Sequence, residues 1–111
     1  MKPDSGVIDT LPPYIRSVSY NTRFHYFLIV FTEPVRTLNA QGITVTDLTG
    51  RSLTLREVSV AQNYRDTVTI VPSEWVTKSN PCVITIPANA VVLSSGITNA
   101  VTLQLGNYRY N

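Results

Sequence analysis

The sequence predicts an all-β fold, an antiparallel β-sandwich of about seven strands. Apolar positions recur with period two between turn signals, and no window of helix length fits the 3.6 period. The strand-like runs are about five to nine residues long, and the turn signals between them fall at sandwich spacing.

The elements follow in order. "DTLPP" is an extended, proline-fixed entry within residues 1–13, because a residue preceding proline is pushed toward β or polyproline geometry. Tyr14 to Ser19 forms the first short strand, with Ile15 and Val18 as its apolar contributions, and "YNTR" turns. Phe24 to Thr32 is the second strand and places His25 within it; Pro34, which cannot donate to a ladder, ends the segment. "TLNAQG" reads as a loop. Ile43 to Leu48 alternates cleanly, and Thr49–Gly50 is a tight hairpin turn into a strand carrying Leu53, Leu55, Val58 and Val60. The apolar phase shifts at Arg56 and Glu57, which predicts a bulge.

Thr67 to Val71 is the fifth strand, with Val68 and Ile70 on one face, and Pro72 stops it. In the connection that follows, Ser73 can cap one helical turn at "SEW". Cys82 to Pro87 is the sixth strand, "ANAVVLSSGITN" a loop, and Ala100 to Tyr108 the seventh, with Val101, Leu103 and Leu105 in step.

Composition sets the limits of function. The 111 residues are enough for one domain with one modest core, and 43% hydrophobic against 14% charged residues excludes a disordered chain. The net charge of +2 is spread along the chain, without the basic footprint of a nucleic-acid binder. No apolar run reaches the length that spans a bilayer, and the start lacks the apolar region of a signal peptide, so no membrane role is expected. The chain then either works where it is made or is a piece of a longer exported protein. The single cysteine, Cys82, excludes an internal disulfide and a cysteine-built zinc site; among strand formers it reads as a small buried apolar side chain.

Several quoted segments, "DTLPPYIRSVS", "FLIVFTEPV", "TVTIVPSEWV" and "VITIPANAVVLSSG", resemble the bacterial immunoglobulin-like domains that carry a "D-x-x-P-P-x-V" entry and an "F-S-E-P-V" signature. The most specific match is "FTEPV", Phe31 to Val35. The resemblance implies an immunoglobulin-like β-sandwich and a structural or adhesive role, usually as one of several linked modules. Some such domains bind calcium through acids in the entry, in the "S-E-P" segment and in a late loop. Asp9 and Glu33 match the first two, but Leu93 stands where the third acid belongs. Calcium wants six to eight oxygens, so no metal or other cofactor is expected, and Glu33 reads as a solvated strand-end residue or as an acceptor of loop backbone bonds.

Catalytic chemistry finds no foothold. A nucleophile needs an adjacent base, and the only histidine, His25, reads as a packed or interface residue on its strand. The seven acids lie in different loops and strands, with no pair at a suggestive spacing for acid–base work. No glycine-rich phosphate loop is present. Lys78 near Asn80 suggests a covalent Lys–Asn lock, but "TKSNP" reads as an exposed loop. A non-enzyme is expected.

Interaction is the remaining theme. If Phe27, Ile29 and Phe31 face the core with His25, then Tyr26, Leu28 and Val30 form an apolar row on the outside, which either meets a partner or lies under neighbouring parts of the domain. The ending "NYRYN" sets Tyr108 and Tyr110 around Arg109, an aromatic and cationic combination favoured at interfaces. These six residues are the candidate partner-binding set, and the partners expected are other protein subunits, neighbouring domains or further copies of this chain. Two settings fit. One is a phage virion, with the chain as a capsid decoration or accessory protein. The other is an exported bacterial surface, adhesin or polysaccharide-degrading protein, outside the cell. A carbohydrate-binding sandwich using Trp75 and loop tyrosines is a third reading, set against the tendency of a lone Trp in a sandwich to be core.

Overall fold

In the computed structural model, residues 11–111 are described. The chain runs through β1 (Ile15–Asn21), β2 (Tyr26–Phe31), β3 (Val35–Leu38), β4 (Thr44–Asp47), β5 (Leu55–Val60), β6 (Thr67–Pro72), β7 (Cys82–Ile86), β8 (Val91–Leu93), β9 (Leu103–Leu105) and β10 (Arg109–Tyr110). One sheet has the order β10-β1-β2-β6-β5; β4-β7-β9 form a second, and β3-β8 a two-stranded ribbon. All pairs are antiparallel except β1 with β10. The all-β architecture with several antiparallel sheets is consistent with a sandwich.

Alternation places the core. In β2, Phe27, Ile29 and Phe31 are buried, as are Val68 and Ile70 of β6 and Ile15, Val18 and Tyr20 of β1. Val45, Ile84, Ile86, Leu103 and Leu105 of the second sheet join the same cluster, with Val35, Val91 and Leu93 of the ribbon. Because side chains alternate across a strand, β2 must present Tyr26, Leu28 and Val30 on the opposite face. The predicted bulge is present as a register shift between Leu55 and Glu57 opposite Pro72 and Val71.

Five expectations are corrected. His25 is not in a strand: it closes a turn with φ 63°, a left-handed conformation that no strand contains. The turn at Thr49–Gly50 does form, closed by Asp47 N–H on the Arg51 carbonyl at 2.9 Å, but β5 does not pair with β4. After Leu53 N–H bonds Val45 at 2.8 Å, the chain leaves and joins β6 in the other sheet. The "TLNAQG" and "ANAVVLSSGITN" loops each contribute strand residues, because Val35–Leu38 pairs with Val91–Leu93. The last long strand is cut to Leu103–Leu105, and Val101 is 63% exposed. "SEW" is not helical; Ser73 N–H donates to the Thr54 carbonyl at 2.8 Å and holds the segment extended.

Candidate interaction surface

The outer face of the large sheet is built around β2, its central strand. Leu28 stands opposite Ser19 on one side and Thr69 on the other, and Ser19 stands opposite Arg109. Val30 lies between Ser17 and Thr67, and Tyr26 is paired with Asn21. Tyr26, Leu28 and Val30 are all half-buried, flanked by hydroxyl side chains, with exposed Arg109 at one edge and exposed Glu57 on β5 at the other. Four of the six candidate residues therefore share this face.

Tyr108 and Tyr110 do not. The Tyr108 ring meets Phe27 edge-on at 5.1 Å, and its hydroxyl bonds the Cys82 backbone. Tyr110 packs against Tyr20 at 6.0 Å and donates to the Thr77 carbonyl at 3.3 Å. Both rings turn toward the core side of the sheet, because Tyr110 is in register with buried Tyr20. Asn111 continues the attachment, with its N–H on the Tyr20 carbonyl and its own carbonyl accepting from Thr22 N–H.

Glu33 sits beyond the end of β2, where its carboxylate accepts from Ser95 N–H at 2.8 Å, Ser95 Oγ at 2.9 Å and Ser94 Oγ at 3.0 Å. The Ser95 hydroxyl, then its N–H, holds this carboxyl below its ordinary value, since bonds to the charged form favour it. The other weak metal candidate, Asp9, lies outside the described residues. Among the described residues no three His, Cys, Asp or Glu side chains gather as a metal site would require.

At the end where β1 turns into β2, the structure brings together residues that the sequence separates by about fifty positions. Trp75 is 71% exposed, against the core position expected for it. Its ring stacks on His25 with centroids 4.0 Å apart and planes 4° apart. Phe24, 61% exposed, lies parallel to Tyr26 at 6.3 Å, and Arg23 stands 5.3 Å above the Phe24 ring. The Asn21 side chain fixes the turn by accepting from Arg23 and Phe24 N–H at 2.9 and 2.8 Å. The sequence holds one partial signal for this site, the apolar Val76 next to Trp75: where Val76 turns inward, as it does here, its neighbour in an extended segment points the other way.

Beside Trp75, Arg51 grips Glu74 with two bonds of 2.7 and 2.9 Å and approaches Asp47 at 3.3 Å. The guanidinium bonds hold the Glu74 carboxyl below its usual range. Asp47 is also lowered, first by the Thr49 hydroxyl at 2.6 Å. On the outer side of the second sheet, Thr46, Leu48, Val83, Thr85 and Gln104 border a shallow open hollow of about 360 Å³. In comparisons with known proteins, no family model and no curated protein matches the chain.

Proposed function

We propose that this chain is a non-enzymatic, immunoglobulin-like interaction module that serves as an accessory or decoration subunit of a phage particle. The observation that carries the reading is the outer face of β2. A strand apolar on both faces occupies the middle of the large sheet, and Tyr26, Leu28 and Val30 line its outer side among serine and threonine hydroxyls, with Arg109 at the margin. An apolar centre with a polar, charged margin is the composition of a protein–protein interface.

The exposed Trp75 favours a second setting, a module of an exported bacterial surface, adhesin or polysaccharide-degrading protein. Such proteins meet extended ligands that an open aromatic surface suits.

Leu28→Asp tests the first reading. The wild-type chain should self-associate on sedimentation at high concentration or be retained by capsid or tail components, and the variant should lose this with an unchanged circular dichroism spectrum. A wild-type chain that stays monomeric and is retained by no particle component would sink it.

A further inference from the structure

The exposed indole of Trp75 has one face covered by the His25 imidazole and the other turned to solvent. Its position is fixed from both sides. His25 is held in the left-handed region, where a residue with a Cβ loses roughly 1–2 kcal/mol, by its own N–H bond of 2.7 Å to the Asn21 carbonyl. Glu74 is tethered to Arg51, and Val76 N–H donates to the Tyr20 hydroxyl at 3.0 Å. Strain retained beneath an exposed ring whose neighbours are tied down is a pointer to function, since a preorganised surface loses less freedom on binding.

We propose that the Trp75–His25 pair is a carbohydrate-binding platform for a pyranose polysaccharide. A pyranose ring has a flat face of C–H bonds and a rim of hydroxyls. Its weakly positive C–H hydrogens match the negative face of an indole, and its hydroxyls need charged or polar partners around the ring. Glu74, the residue before Trp75, and its partner Arg51 have side chains about half exposed and retain free donor and acceptor capacity. The surface is open rather than a cleft, which suits a polymer lying across it. The inference stands apart from the outer face of β2 and does not depend on it.

Trp75 is the only tryptophan in the chain, so all indole emission reports this site. The test is affinity electrophoresis in gels containing xylan, mixed-linkage β-glucan or galactomannan, with pull-down on chitin and peptidoglycan, and fluorescence titration with the corresponding oligosaccharides. At least one polysaccharide should bind the wild-type chain and shift its emission. Trp75→Ala should weaken that binding about tenfold or more, equivalent to about 1.4 kcal/mol, Trp75→Phe and His25→Ala less so, and Leu28→Asp not at all. If no polysaccharide binds, or if Trp75→Ala binds as well as wild type, the proposal is overturned. Loss of protein self-association in Trp75→Phe with glycan binding unaltered would equally overturn it, in favour of a protein partner.

Discussion

The Tyr108 hydroxyl meets the backbone of Cys82 twice, donating to its carbonyl oxygen at 2.6 Å and accepting from its N–H at 3.2 Å. Through this one side chain the C-terminal segment, whose β10 lies beside β1, is tied to the first residue of β7 in the other sheet. The aromatic ending that reads as a docking element is thus, at Tyr108, also a fastening between the two sheets, while Tyr110 ties β10 to the Thr77 segment.

Tyr108→Phe keeps the ring against Phe27 and removes both bonds, leaving two backbone groups of Cys82 without that partner. Urea denaturation should show a loss of about 1–3 kcal/mol. Burial, with the neighbouring Tyr110 hydroxyl, also raises the phenol of Tyr108 above its ordinary value of 10.0. The unfolded chain therefore ionises this tyrosine first. The contribution to stability is complete below pH 10 and is lost as pH climbs above it. Melting temperatures from pH 8 to 11.5 should fall less steeply in Tyr108→Phe than in the wild type.

Glu33 makes the opposite pH prediction. Its folded-state carboxyl is lowered by the Ser95 and Ser94 bonds, so its contribution is present above the ordinary carboxylate value and is lost as pH falls through the folded one. Glu33→Gln should flatten the acid limb of the stability curve below about pH 4.5 relative to wild type. The same three bonds occupy the oxygens that calcium would require, and millimolar calcium should leave the melting temperature unchanged. A rise on adding calcium that disappears in Glu33→Gln would reverse this view of the residue.

Legibility in the sequence follows how local the cause is. The inward row Phe27, Ile29 and Phe31, the pair Val68 and Ile70, and the bulge before Glu57 are written in alternation and its phase shift, which depend on neighbours one or two positions away. The β3–β8 ribbon is not, because Val35–Leu38 carries only Val35 fully inward and finds its partner more than fifty residues on. The two residues of β10 hold no sign of a parallel neighbour. For Trp75, size and hydrophobicity argue for the core, while its actual place is decided by burial of Val76 next to it and by a stacking partner in a distant turn.

Asn99 is the polar group on which the β8–β9 connection most depends. It is buried, accepts from Val91 N–H at 3.0 Å and donates to the Pro87 and Val101 carbonyls at 2.7 and 3.1 Å, while its own carbonyl accepts from Asn89 N–H. Asn99→Ala keeps the backbone bond but strands the Val91 N–H and the Pro87 and Val101 carbonyls, and should cost about 2–4 kcal/mol, since each buried polar group left without its partner costs about 1–3. Asn99→Asp should be worse, because a carboxylate cannot donate to two carbonyls and would be buried without a counter-charge. Equilibrium unfolding of the pair, with Asn99→Ala the milder, checks the ordering; equal stabilities would mean that water replaces the side chain.

Two glycines separate backbone strain from packing. Gly42 and Gly50 share φ 89°, where a side chain is disfavoured whatever the space around it. A Cβ at Gly50 would meet nothing within 4 Å, whereas one at Gly42 would stand 3.0 Å from Pro87 Cγ, part of a ring with little room to yield at the end of β7. Gly50→Ala should therefore lose only the conformational part, about 1–2 kcal/mol, and Gly50→Asn less, because asparagine tolerates this region. Gly42→Ala should lose that part together with an overpacking cost of about 1 kcal/mol or more. Urea midpoints of the three variants give the comparison, and a Gly42→Ala no less stable than Gly50→Ala would show that the Ala40–Ile43 turn moves away from Pro87 at little cost.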